Sequence, residues 1–246
     1  MVKQIRDPQV KQFWTGEFAA YPDRYMREVI APVQNRLGKL LLSPAVRNIL
    51  GQVRNRISMR FVMDNKRIFI ANLSKGKLGL ASSLIGSFLT TQFQMEALRR
   101  ADTPEANRKD FLLLVDEFQS FTTESFVAVL SEARKYRLAL VPSHQYLGQL
   151  SEEIRQAVFG NVGTVISFRV GHEDAKLLAS DYGDTFSQGQ FTELANHDVL
   201  VKILSDGQHA QPFRGRTNPP VGHRRGRRAT IIRRSREKFA VGRAVV

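Results

Sequence analysis

The chain has 246 residues, 42% of them hydrophobic, which allows a substantial core in one large domain or two small ones and excludes wholesale disorder. Cysteine is absent, which excludes disulfides and thiolate-held metals. The net charge of +14 is lopsided: after position 213, eleven Lys/Arg face the single acid Glu237, so +10 of the total lies there.

A basic tail of that kind points to a polyanion, either nucleic acid or an anionic membrane surface. The plainer alternative is a solvated or partner-docking helix. Met1–Asp7 lacks the apolar core of a signal peptide. Residues 1–56 read as helical and as an insertion on a core. Phe13, Trp14 and Phe18 follow helical spacing, Arg27–Leu42 continues it, and Pro32 is expected to interrupt or start that helix. Ser43-Pro44 opens the next helix, which closes at Gly51. No chemistry is visible in this region.

Ile57–Met63 and Arg67–Leu73 are apolar-rich runs around Asp64-Asn65-Lys66, and a hairpin is the simplest reading. The loop Asn72–Gly79 then leads into a long helix, Leu80–Arg100. Polar groups and glycines between strand and helix can bind phosphate. The loop is nevertheless no P-loop, because Gly76-Lys77 is followed by Leu78, and none of the 17 glycines starts Gly-x-x-x-x-Gly-Lys-Ser/Thr. Leu78–Met95 is uncharged over 18 positions but carries too many Ser, Thr and Gln to span a membrane. Leu80, Leu84, Phe88 and Thr91, widened by Ile85 and Leu89, give the helix its expected buried face.

Phe111–Val115 is five apolar residues in an unbroken run, the pattern of a strand buried on both faces, and it ends in Asp116-Glu117. Ligands of open parallel sheets bind outside the carboxyl ends of the strands. An acidic pair at that edge suits nucleotide hydrolysis, with Asp on Mg²⁺ and Glu on the attacking water. An ordinary strand ending in a solvated turn has the same composition. The next helix has Thr123 as N-cap, Glu124 in its first turn, and Phe126, Leu130 and Ala133 on one face. It ends in Arg134-Lys135, cations suited to a helix C-terminus. Leu138–Val141 is a second buried-type strand running into Pro142-Ser143-His144-Gln145. If the two strands are parallel, Gln145 shares the rim of Asp116 and Glu117.

Beyond it follow a helix Gln149–Phe159, a strand Thr164–Phe168, helices Glu173–Tyr182 and Phe191–Ala195, and a hairpin of Val199–Leu204 with Gln208–Phe213 around Ser205-Asp206-Gly207. Arg224-Arg225-Gly226-Arg227-Arg228 is a solvated basic stretch, and Ile231–Ala240 a closing basic helix. The five histidines are scattered, and no Ser/His/acid order stands out, so a metal or covalent hydrolase is a poor reading.

Taken in order, Val115-Asp116-Glu117-Phe118, Leu130-Ser131-Glu132-Ala133-Arg134-Lys135-Tyr136, His144-Gln145, Gly160-Asn161-Val162-Gly163-Thr164 and Phe168-Arg169-Val170-Gly171 resemble the HerA/FtsK-like P-loop ATPases. Asn72-Leu73-Ser74-Lys75-Gly76 and Arg6-Asp7-Pro8 are similar too. The likeness is strongest to the coupling proteins of conjugative type IV secretion, the TraD/TraG group. The resemblance implies an α/β fold: an incomplete RecA-like P-loop NTPase core with a mainly parallel sheet flanked by helices, over residues 57–213. A helical insertion, 1–56, precedes it and a basic tail, 214–246, follows.

By the same resemblance Asp116 is the Walker B carboxylate for Mg²⁺, Glu117 the catalytic base and Gln145 the γ-phosphate sensor. Arg134 is the arginine that reaches a nucleotide on the adjacent subunit of a homo-hexameric ring, and Asn161 and Arg169 are further candidates for the nucleotide site. Arg224, Arg225, Arg227 and Arg228 are the expected nucleic-acid contacts. ATP and Mg²⁺ are the implied cofactors. DNA and relaxosome or type IV secretion components are the implied partners. The implied location is cytoplasmic, reaching a bacterial membrane's inner face only through partners. The Walker A loop of the family is absent, so the expectation is the C-terminal part of a DNA-translocating motor, from a truncated frame or a split protein, hydrolysing ATP only when complemented. The alternative is a non-catalytic docking module that uses the basic tail.

Overall fold

The computed structural model describes residues 4–52, 54–79, 81–122, 130–205, 207–223 and 225–241. Thr123, Glu124 and Phe126, expected to open a helix, lie outside them. The chain divides into two compact units, residues 1–53 and residues 54–242 in the main.

The first unit is helical. The Asp7 carboxylate caps α1 (Pro8–Gln12), accepting from the N–H groups of Gln9 and Val10 at 2.9 and 3.2 Å. A π turn and a 3₁₀ turn lead to α2 (Asp23–Leu41) and α3 (Pro44–Leu50), which has Pro44 at its first position. Pro32 sits inside α2 rather than ending it. A proline removes one N–H from a helix, and α2 nevertheless runs through it from Asp23 to Leu41. Phe13, Trp14, Phe18, Tyr21 and Tyr25 stack edge to face along this unit.

The second unit is α/β, a parallel strand pair flanked by helices with an antiparallel sheet after it in the chain. β1 (Phe111–Val115) and β2 (Leu138–Pro142) pair in parallel, from Phe111 opposite Leu138 to Val115 opposite Pro142. Phe111, Leu113, Leu138 and Leu140 pack on a cluster from α4 (Met59–Asp64) and α6 (Ala81–Leu98), namely Met59, Val62, Met63, Phe93 and Ala97. The expectation that β1 is buried on both faces fails: Leu112 and Leu114 are 54% and 66% exposed. No described element covers that face.

Two other expectations are corrected. Residues 57–63 and 67–73 form no hairpin. Ser58 caps α4 by accepting from the Phe61 N–H at 3.1 Å, and Met59, Val62 and Met63 fall on one buried helical face. The run 67–73 has no ladder partner, although Phe69 packs against Phe93. The short helix α5 (Lys75–Leu78) follows it. The buried stripe of α6 is Ser82, Gly86, Phe93 and Ala97, while Phe88 is half exposed. Gly86 decides the rotation, because a Cβ there would lie 2.1 Å from the Phe121 ring, so only glycine lets the segment after β1 approach. Among the described residues no helix is long and apolar enough to cross a membrane.

α7 (Glu152–Asn161), capped by Ser151, leads to the second sheet. There β3 (Thr164–Ser167) runs antiparallel to one edge of β4 (Asp198–Ser205), and β5 (Gln208–His209) and β6 (Phe213–Arg216) follow the other edge. The hairpin expected around Ser205 and Gly207 is present as β4–β5, but its second strand is Gln208–His209 rather than Gln208–Phe213, and Phe213 opens β6. α8 (His172–Asp181) covers the sheet, and the hydroxyl of Tyr182 is placed to donate to the carbonyls of Val165 and Leu200, tying β3 to β4. α9 (Gln188–Thr192) carries a Ser187–Gln190 capping box, and α10 (Arg228–Phe239) closes the chain.

One buried cation fixes the start of the parallel pair. Arg100, fully buried just past α6, donates through Nε to Asp64 at 2.9 Å and through Nη1 to the carbonyls of Lys109 and Tyr136 at 3.0 and 2.9 Å. Its Nη2 lies 2.9 Å from the same carboxylate without the alignment of a hydrogen bond. Arg108 adds bonds to the carbonyls of Arg100, Thr103 and Lys135. Charged hydrogen bonds at a desolvated site are costly to lose. Arg100→Met should lower the unfolding free energy of the second unit by about 2–4 kcal/mol. The urea midpoint reads this, and an unchanged midpoint would show that the clamp does not hold the strand ends.

Candidate functional site

Parallel pairing carries β1 and β2 to a common edge. The ladder continues past both strands: the Ser143 N–H donates to the Val115 carbonyl at 2.9 Å, and the Phe118 N–H to the Ser143 carbonyl at 3.0 Å. Asp116, Glu117 and Ser143 to Gln145 are thereby brought together at the carboxyl ends of the strands. The Asp116 side chain accepts from the Ser143 hydroxyl at 2.7 Å and from the Glu117 N–H at 3.0 Å, both on Oδ1. Glu117 is gripped by two amides: Gln145 donates to Oε1 at 2.7 Å, and Gln119 to Oε2 at 2.6 Å.

The backbone of Glu117 is left-handed, with φ +52° and ψ +43°. A side chain there costs on the order of 1 kcal/mol, and such strain clusters at working sites. The geometry turns the chain sharply after β1, so that Phe118 drops into the core and both carboxylates stay at the rim.

Beneath the rim, His144 is half buried and meets Phe118 edge on, with ring centroids 5.2 Å apart. Burial holds its pKa below the ordinary imidazole value, against the opposing pull of Asp174 and Glu117. Asp174, on the first turn of α8 and itself buried, accepts from the Leu147 N–H at 2.9 Å and so pins the far end of the loop that carries Gln145. Leu73 packs on the same core cluster as Val115, Phe118 and Phe121, which places the start of the Asn72–Gly79 loop close to this part of the core.

The other expected site residues do not join this group. Arg134 lies on the 3₁₀ turn Ala133–Tyr136, ahead of β2, while Gln145 lies beyond it. Five strand residues span roughly 17 Å, so Arg134 is exposed at the opposite end of the pair. Asn161 ends α7, and its amide donates back to the Ala157 carbonyl at 2.8 Å. Arg169 is exposed two residues past β3. Arg225, Arg227 and Arg228 are exposed ahead of and at the start of α10, and Arg224 lies outside the described residues. Ser143, Gln119 and Asp174 were not among the expected residues. Ser143 was within reach of the strand-end rule, whereas the role of Asp174 depends on a hydrogen bond to a residue 27 positions away.

The donors at the rim are hard oxygens: one exposed carboxylate and one hydroxyl. That set suits Mg²⁺, which keeps several of its own waters and takes one or two protein oxygens. Among the described residues no three of His, Cys, Asp and Glu group as a self-sufficient metal site.

No family model and no curated protein matches the chain. Among solved structures it is similar to the genome packaging NTPase B204 from Sulfolobus turreted icosahedral virus 2, in its complexes with ATPγS and with AMPPCP. For each, identity is 14%, 64% of this chain and 71% of that chain are covered, and the TM-score is 0.41.

Proposed function

We propose that this chain carries the metal- and water-handling half of a nucleotide-hydrolysing site, in a RecA-like core of the P-loop class that drives DNA movement. The observation that carries the reading is the Gln145–Glu117–Gln119 arrangement beside Asp116 and Ser143, at the carboxyl edge of a parallel pair. Asp116 and Ser143 would hold Mg²⁺, which when bound neutralises charge on the phosphates of ATP. Glu117, held by two amides, is oriented to take a proton from a water aligned on the terminal phosphate. Gln145 couples that carboxylate to β2, the role expected of a γ-phosphate sensor. Phosphate cradling by a Walker A loop has no counterpart in this sequence, and in this reading a Walker A segment complements the site.

The finer reading is a coupling protein of conjugative type IV secretion. In that reading a homo-hexameric ring has Arg134 reaching a neighbour's nucleotide, with Asn161 and Arg169 near the same pocket and relaxosome components as partners at the cytoplasmic side. Its support is the order of motifs along the chain. The second reading, a docking module without turnover, is favoured by the exposed Arg225, Arg227 and Arg228.

With a Walker A segment supplied in trans, phosphate release should appear, and Glu117→Gln should reduce it at least about 100-fold. No release from any folded pairing would leave the docking reading. DNA binding should weaken with salt, and replacing Arg225, Arg227 and Arg228 by Gln should flatten the log–log salt slope by roughly 0.9 for each phosphate that is no longer neutralised. An unchanged slope would remove the tail from the interface.

His144 gives a pH signature. Its folded pKa is depressed below the reference value of 6.5, so the unfolded chain binds the proton more readily. The stability it contributes is present above that reference value and is lost as pH falls through it. Acidification from about pH 7.5 to about 5.5 should therefore destabilise the wild type more than His144→Asn. Equal losses in the unfolding midpoint would show that His144 is not the titrating group.

A further inference from the structure

α10 combines two features that one partner must explain together. Every residue from Arg228 to Phe239 is exposed. At 100° per residue, Ile231, Ile232, Ser235 and Phe239 fall within one stripe, and Arg228 continues it at the N-terminal end. Ile231, Ile232 and Phe239 leave 58%, 37% and 36% of their surface to solvent. The cations border the stripe, with Arg236 and Arg233 on one side and Lys238 and Arg234 on the other. The single acid, Glu237, lies opposite the stripe and pairs with Arg233 at 3.8 Å.

A nucleic acid would engage the cations and leave the apolar stripe wet. An uncharged apolar groove would bury the stripe and strand the cations around it. An anionic bilayer surface satisfies both, because apolar side chains enter the acyl boundary while Arg and Lys reach back to lipid phosphates. We propose that α10 lies in the plane of an anionic phospholipid surface. Ile231, Ile232 and Phe239 are the buried residues, and Arg233, Arg234, Arg236 and Lys238 face the headgroups. The inference is independent of the nucleotide-site reading and stands whether or not the chain supports hydrolysis.

Flotation of the full chain with vesicles tests it. Wild type should float with phosphatidylcholine–phosphatidylglycerol vesicles and not with phosphatidylcholine alone. Ile231→Ser, Ile232→Ser and Phe239→Ser combined should weaken binding at least about tenfold, with every charge kept and the DNA affinity unchanged. Phe239→Trp should add an emission that shifts to the blue with the anionic vesicles. Three results would overturn the proposal: flotation of the triple variant like wild type, binding to a DNA duplex but to neither vesicle, or no shift from Phe239→Trp.

Discussion

The register of β1 against β2 is the constraint on which the second unit depends. Phe111 opposite Leu138 and Val115 opposite Pro142 decide that Asp116 and Ser143 are neighbours and that Gln145 reaches Glu117. A slip of one residue would exchange the faces of a strand and turn Leu113 or Leu140 away from the core. Two parallel strands have little stability alone, so the register has to be enforced from outside. Arg100 enforces it at the amino ends, where one guanidinium reads carbonyls from the approach to β1 and from the turn before β2. At the carboxyl ends the Val115–Ser143–Phe118 bonds do the same.

The rim meets two opposing demands. For the proposed role its carboxylates must stay accessible to a ligand, yet free side chains at a strand end would sample many geometries. The structure resolves this by engaging each carboxylate with neutral donors, Ser143 on Asp116 and Gln145 and Gln119 on Glu117, rather than with a cation that would consume its charge. Asp174 holds the loop from below, so ordering Gln145 does not rely on contacts at the rim itself. The left-handed Glu117 is the local cost of this layout, offset by burial of Phe118.

How much is legible in the sequence follows from the range of the forces involved. β1, β2, the long helix, the β4–β5 hairpin and α10 are set by local pattern and are readable as such. The meeting of Glu117 and Gln145 is also readable, because strand direction plus a crossover places both strand ends on one rim. The run Ile57–Met63 misleads because a short apolar run fits helix and strand alike, and the Ser58 cap settles it. The face of α6 misleads because its rotation is set by Phe121 against Gly86, two residues 35 positions apart whose meeting no periodicity contains. Arg100 resembles an ordinary cation at a helix end, and only the carbonyls of Lys109 and Tyr136 make it a core residue.

Exposed apolar surface of the second unit lies on the strands that carry the rim. The proposed site offers Asp116 and Ser143 to a metal and Glu117 to a water. The same strands expose Leu112, Leu114 and Val141, while Ile166 on β3 and Phe168 just after it are exposed as well. Among the described strands, β2 pairs only with β1, and β3 only with β4, so each keeps an open edge. Open edges and exposed apolar faces are aggregation liabilities that a stable arrangement covers. The exposed face of β1 and β2 and the open edge of β2 belong to the strands that lead into Asp116 and Gln145, so a partner that covers that face also borders the rim.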